Sequence, residues 1–402
     1  MNKEIWTKAA VVGSLWASVE IIMGSFFHNL QLPFAGTLLA TFTVVFVVAI
    51  LQIWPERGLI WRAGIICALM KSISPSAVIL GPMTGIFFEA VLLEFFIFLF
   101  GRNIFSYIIA GMMAVLSALF HKLLTLLIIY GWDAVEILSN VYKFAMKQLK
   151  FTNVNPMDAV WILVVIYVVL GTSAAIVGYI IGRKANKQKE SQNNISNFDI
   201  SKANNFFSID KQQKFSVYLL VLNLLAVVFV LFFINKFGLL LGLIPAIIFI
   251  TFNLLRYQNA LRQFKRPALW MQLAVLTLLA SLFYIDGAEI VYFSLKGVLV
   301  GLEMTLRAIV VVLGFSSISV ELRNPIIKTV LSKKGFSQLY NALGLAFSAL
   351  PAILSDVAKP KQMFKQPFKT IVQILLFTDS LYLAFMSNLP EEDHNIISNK
   401  NV

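Results

Sequence analysis

Long, evenly apolar runs constrain this chain more than any other feature. Val44–Ile53, Ile86–Phe100, Ile104–Phe120, Trp161–Ile181 and Val217–Ile234 all lie inside such runs. A helix that crosses a membrane needs about 20 mainly apolar residues, because the hydrocarbon layer is ~30 Å thick and a helix rises ~1.5 Å per residue. None of these runs carries the polar stripe of a soluble amphipathic helix. Leu219–Ile234 and Leu269–Leu282 do not alternate apolar with polar residues, as the strands of a spanning barrel do. The expected fold is therefore all-α: a polytopic integral membrane protein with about 10–11 transmembrane helices in two bundles, plus amphipathic helices at the cytoplasmic face.

Composition agrees. Charged residues are only 13% of the 402, against roughly 25% in soluble domains. The formal net charge is +13. The basic residues cluster between apolar runs, as cytoplasmic loops do, and no nucleic-acid-binding motif accompanies them. The lone cysteine, Cys67, lies within an apolar run and cannot form an internal disulfide. Lys3 and Lys8 precede an apolar stretch that resembles a signal peptide. That stretch runs from Ala9 to Phe27, carries Glu20 and ends in His28-Asn29, so it reads as a retained first helix.

Residues 1–182 accommodate six spans, near 7–27, 33–54, 59–80, 82–100, 104–130 and 157–182. The loops with Glu56-Arg57, Arg102 and Arg183-Lys184 then share one side, which the positive-inside rule makes cytoplasmic, together with the N-terminus. Lys143, Lys147 and Lys150 fall on the opposite side, in a segment, Val135–Leu149, that reads as an amphipathic helix lying on the surface. Residues 183–215 are polar and charged, and read as a cytoplasmic linker. A second membrane domain occupies 216–390, with runs near 216–234, 238–255, 268–285, 297–320 and 370–388, and 391–402 form a polar tail.

Between Glu321 and Lys369 stand eight basic and two acidic residues. Asn324 is suited to cap a helix and Pro325 to begin it, while Lys333 and Lys334 fall in its last turn before Gly335. A second helix is expected from Ser337 to Lys359, stopped by Pro360. Such a basic, amphipathic pair either rests on lipid headgroups or docks a soluble partner.

Gly301-Leu302 leading to Leu306-Arg307, then Ser316–Leu322, Gly335, Leu343–Phe347 and the group Pro351, Ile353, Leu354 and Asp356 resemble the T component of energy-coupling-factor (ECF) transporters. The match runs over 301–356, with weaker similarity back to about residue 215. The resemblance implies that 322–360 form coupling helices gripping cytoplasmic ABC-type ATPases, with Arg323, Lys333, Lys334, Asp356 and Lys359 at the contact. The family's short Ala-Arg-Gly or Ala-Arg-Ser motifs are missing: no arginine follows Arg323, and the nearest analogue is Ala358-Lys359-Pro360. A lysine lacks arginine's planar fork. The first 182 residues resemble the six-helix S component of the same systems. Ala9, Gly13 and Ala17 recur every four residues and share one face. In the family such a small-residue face of the first helix meets the T component. Small residues at that spacing also serve packing within a bundle.

Ionisable groups inside spans are costly unless paired or hydrated, which makes each a candidate. These are Glu20, Lys71, Glu89, His121 and Lys122. Trp16, one turn from Glu20, and Asn29, on the loop side of the first helix, join them as candidate solute-binding residues. Two readings are open for Lys71: an ion pair with Glu20 or Glu89 that holds the bundle together, or a pocket in which Lys71 faces an anionic group and Trp16 stacks on a ring. His121 and Lys122 lie either near the membrane middle or, with a shifted boundary, at an interface. Glu303 and Arg307, one turn apart, are expected to pair. No nucleotide-binding motif, cofactor motif or metal-ligating histidine pair is seen, so ATP hydrolysis would belong to a partner chain and the chain itself is not expected to be an enzyme.

The expected function is that of a permease subunit of an ECF-type importer for a small vitamin-like or cofactor-precursor solute, in the inner membrane of a prokaryote. Its partners would be ATPase, solute and lipid. The alternative is an ATP-independent membrane scaffold or sensor binding a cytoplasmic partner at its basic helices. A membrane enzyme using intramembrane Glu, His and Lys ranks third. On the first reading, Lys333→Glu together with Lys359→Glu weakens co-purification of the ATPase and leaves the protein folded. Unchanged ATPase recovery with the double variant rejects the coupling-helix assignment.

Overall fold

The computed structural model describes residues 2–29, 34–71, 80–150, 155–191, 217–257, 264, 267–284, 293–321, 337–356 and 366–387. Among the described residues there are twelve helices and no strand. They are α1 (Asn2–Asn29), α2 (Ala35–Leu51), α3 (Leu59–Lys71), α4 (Leu80–Phe100), α5 (Ile104–Tyr130), α6 (Asp133–Gln148), α7 (Pro156–Ser191), α8 (Val217–Arg256), α9 (Pro267–Phe283), α10 (Leu295–Glu321), α11 (Ser337–Asp356) and α12 (Pro367–Ser387). Seven are long and apolar enough to cross a membrane. Large apolar side chains such as Phe88, Phe98, Trp161 and Leu240 point outward, as lipid-facing residues do. The chain is a multi-pass α-helical membrane protein.

α8 is two helices in one. At Gly238 the backbone enters φ 73°, outside the helical range and open to glycine without a Cβ penalty. The Asn223 amide donates to the Tyr257 hydroxyl at 3.1 Å. A straight helix would hold these residues ~50 Å apart at ~1.5 Å per residue, so the two halves run antiparallel. This agrees with the separate runs expected near 216–234 and 238–255. With α9 and α10 they form one bundle, centred on Val230, Ile234, Phe249 and Val310.

The other bundle is built around α1. Every residue from Ala9 to Glu20 is buried, on all faces of the helix. α3 packs along one side of α1 and α11 along another, with α2 and α12 completing the enclosure. The last two helices thus return to the first: Ala346, Leu350, Ile353, Ile374 and Phe385 share a core with Leu15 and Met23. This is the main departure from the sequence-based picture, which placed 337–359 at a cytoplasmic surface. α11 exists, but its apolar side is committed to α1. The first expected coupling helix, with Arg323, Lys333 and Lys334, lies outside the described residues, as does Lys359. Asp356 ends α11, and its side chain is likewise outside them.

α7 makes close backbone contacts with two neighbours. A Cβ added to Gly171 would stand 2.6 Å from the Gly111 carbonyl oxygen of α5. One added to Gly178 would stand 2.6 Å from the Val45 carbonyl oxygen of α2. Small residues let membrane helices approach this closely, and lipid tails supply no hydrophobic drive to compensate for a gap. Gly171→Leu must push α5 and α7 apart. The expected cost is about 1–3 kcal/mol, read as a lower thermal-unfolding midpoint of the detergent-purified protein, whereas Ile180→Leu, on an exposed position of α7, leaves the midpoint unchanged.

Candidate functional site

Glu20, Lys71, Thr43 and Trp16 converge from α1, α2 and α3. Lys71 closes α3 and lies across α1, where its Nζ donates to the Glu20 carbonyl at 2.7 Å and stands 3.4 Å from Glu20 Oε2. Room for the ammonium comes from Gly24, one turn further along α1, whose added Cβ would be 3.0 Å from that Nζ. The other Glu20 oxygen accepts from Thr43 Oγ1 at 3.4 Å, and Thr43 accepts from the Trp16 indole at 3.1 Å. Trp16 is 1% exposed, Glu20 5% and Lys71 7%. A charge pair this enclosed is tolerated because each member is paired and hydrogen-bonded. Of the two readings for Lys71, the ion pair with Glu20 is formed.

Glu89 lies on α4, next to Ala90, which packs on Gly64 of α3 beside the Trp16 ring. It is 7% exposed, and among the described residues no donor reaches its carboxylate. The Cys67 thiol is wholly buried on α3, one turn before Lys71. Among the described residues no group of three His, Cys, Asp or Glu is placed to hold a metal ion.

The remaining expected residues fall elsewhere. Lys122 lies over the Phe34 ring at 4.4 Å, just before α2 begins, and is exposed. His121 Nε2 sits 3.0 Å from Thr84 Oγ1 in the first turns of α4. Both are therefore level with helix ends, not with the bundle middle, because α5 continues past its neighbours. Asn29 ends α1, with its side chain outside the described residues. Gly13 faces α3, its added Cβ 2.7 Å from Ile66 Cγ2, so this member of the small-residue stripe packs within the bundle. Ala9 and Ala17 are fully buried on the same helix. Glu94 caps α3: its carboxylate accepts the Gly58 and Ile60 amides at 2.6 and 2.9 Å, two of the donors a helix start leaves open. Arg62 stacks on Trp6 and Trp61 and donates to the Gly58 carbonyl.

Two polar networks were not visible as networks in the sequence. At one end of the second bundle Tyr257 donates to Glu321 at 2.8 Å and accepts from Asn223, while Ser317 donates to Asn253. Burial, and after it the Glu321 bond, pushes the Tyr257 phenol above its ordinary range. Asparagines inside apolar runs were the available signal. The other network joins the bundles. Arg307 of α10 pairs with Glu303, as expected, but also donates to the Tyr130 carbonyl and to Asp133, both at 3.1 Å. Gly131, at φ 77°, makes room: its added Cβ would be 2.1 Å from the guanidinium.

No family model, curated protein or solved structure matches the chain.

Arg307 is 6% exposed, and its removal strands Asp133 and Glu303. Breaking a buried pair by deleting one partner costs roughly 3–5 kcal/mol. Arg307→Ala is expected to lower the unfolding midpoint of the purified protein markedly. The same substitution in an Asp133→Ala, Glu303→Ala background is expected to cost little more, since the stranded carboxylates are then absent.

Proposed function

We propose that the chain is the membrane permease subunit of an ECF-type importer, in which residues 1–182 hold a small solute and a separate cytoplasmic ATPase drives the C-terminal helices. The supporting observation is the packing of α11 along α1. An importer of this kind needs a mechanical link between the element its ATPase moves and the element that holds its solute. α11 follows directly on the basic stretch 322–336. It rests on the helix that carries Trp16 and Glu20, and Glu20 in turn holds Lys71. A displacement of α11 is thus passed through one rigid helix to the buried cluster about the bundle interior. Buried ionisable groups within spans are the usual mark of a solute or ion pathway.

On this reading the loops with Glu56-Arg57, Arg102 and Arg183-Lys184 face the cytoplasm of a prokaryotic cell. Lys8 of α1 bridges Glu4 and Glu56 and lies near Trp54 and Tyr382, tying the first turns of α1 to the segment after α2 and the last turns of α12. A second reading, an ATP-independent scaffold or sensor, is favoured by one observation: no arginine follows Arg323, and a lysine cannot copy the bidentate grip expected at an ATPase contact.

The test is affinity purification of the tagged chain from its native membrane, with mass spectrometry of what accompanies it. The importer reading expects an ABC-type ATPase in stoichiometric amount. Its absence under conditions that preserve other membrane complexes moves the assignment to the scaffold.

A further inference from the structure

Glu20, Lys71 and Glu89 are all buried in the N-terminal bundle. Lys71 is already engaged by both the backbone and the side chain of Glu20. Thr43 occupies the second Glu20 oxygen. Glu89 is left more than nine-tenths buried, with no donor among the described residues. Its place follows from the packing of α3. Gly64 lies between the Trp16 ring and Ala90, its added Cβ 3.6 Å from the first and 2.1 Å from the second. Glu89, adjacent to Ala90, is therefore level with Trp16.

A carboxylate taken out of water is costly unless a positive group or hydrogen-bond donors compensate it. The remaining compensation can come from a ligand. We propose that Glu89 is the docking carboxylate for a positively charged group of the solute, so that the N-terminal bundle takes a small organic cation such as a protonated amine. The inference rests on the importer reading for its statement that the cluster is a solute site. It reverses the charge expected from Lys71 alone: with Lys71 held by Glu20, the group left to recognise a ligand is negative. In the empty site Glu89 gains nothing from its charge; with a cation bound, two positive groups face two carboxylates. Trp16 and Thr43 act as positioning residues, fixing the Glu20 oxygens so that Lys71 stays on α1 and does not turn to Glu89. Residues kept for ligand binding are commonly a burden on the empty protein, so replacing one stabilises it.

The experiment uses the full chain in lipid nanodiscs and three probes sharing one ring: benzylammonium, benzyl alcohol and benzoate, at equal concentration. Benzylammonium is expected to raise the thermal-unfolding midpoint of the native protein, and the other two are not. Glu89→Gln is expected to raise the midpoint of the empty protein and to abolish the benzylammonium shift, while Glu89→Asp, which keeps the charge, retains part of it. Equal shifts with all three probes, or none with any, overturn the proposal. So does a benzylammonium shift that survives Glu89→Gln, or a Glu89→Gln protein less stable than the native one. ATPase co-purification scored on the same preparation separates the two failures. A cation shift without ATPase keeps the pocket and removes the importer; ATPase without a cation shift removes only the assignment to Glu89.

Discussion

The enclosure of α1 is the constraint on which the rest of the structure depends. A helix at the rim of a membrane bundle keeps one face for lipid, and its small residues then serve one neighbour. α1 has no such face between Ala9 and Glu20, where every residue is buried. Enclosure demands partners on all sides, and these come from both ends of the chain: α2 and α3 soon after it, α11 and α12 more than 300 residues later. It also determines what α1 can carry. Alanine, glycine and serine dominate its middle because the neighbours approach closely, and the one large polar-tipped side chain there, Trp16, must find a bond, which Thr43 provides.

The same enclosure explains why the charges of this bundle are arranged as they are. The apolar interior of a membrane bundle makes each charged group depend on what the neighbouring helices supply. Glu20 is supplied with Lys71 and Thr43. Glu94, at the margin, is supplied with the open amides of α3. For Glu89 no donor stands among the described residues. Arg307 illustrates the opposite case. It is a cation with several acceptors, and it ties α10 to the turn between α5 and α6. The two bundles are thus joined by a local electrostatic clamp at one place and by the return of α11 and α12 at another.

These two links differ in physical character, and the difference suits a device with moving parts. The α11–α1 contact is broad and apolar, and such a contact moves as a body because packed helices transmit displacement. The Arg307 clamp is small and directional, so its strength depends on keeping three acceptors in register. α6, from Asp133 to Gln148, lies between the two arrangements. It supplies Asp133 to the clamp and packs on α9, where Asn140 donates to the Phe283 carbonyl. The segment that read as a surface helix in the sequence is, in the fold, part of the joint.

Much of the architecture was legible in the sequence because the bilayer enforces a one-dimensional rule. Apolar runs of spanning length must be helices, so the positions of α1, α2, α4, α5, α7, α9, α10 and α12 and the break in α8 followed from hydropathy and punctuation alone. The i, i+4 pair of Glu303 and Arg307 was legible for the same reason, since helical spacing by itself makes the two neighbours. Helix adjacency was not legible. A spanning helix has no strong periodicity to show which face meets which neighbour, so nothing in Ser337–Asp356 indicated that its apolar side would be covered by α1 and not by lipid. The small-residue stripe on α1 was visible, but its partner, Ile66 of α3 for Gly13, was not. Lys71 and Glu20, 51 residues apart, were candidates that only tertiary packing could bring to 2.7 Å. The sequence determined that this chain crosses a membrane as helices and which of its residues are too costly to bury alone. The tertiary structure decided which of those residues compensate one another, as Lys71 does Glu20 and Arg307 does Asp133, because pairing inside a bundle depends on helix adjacency that hydropathy does not encode.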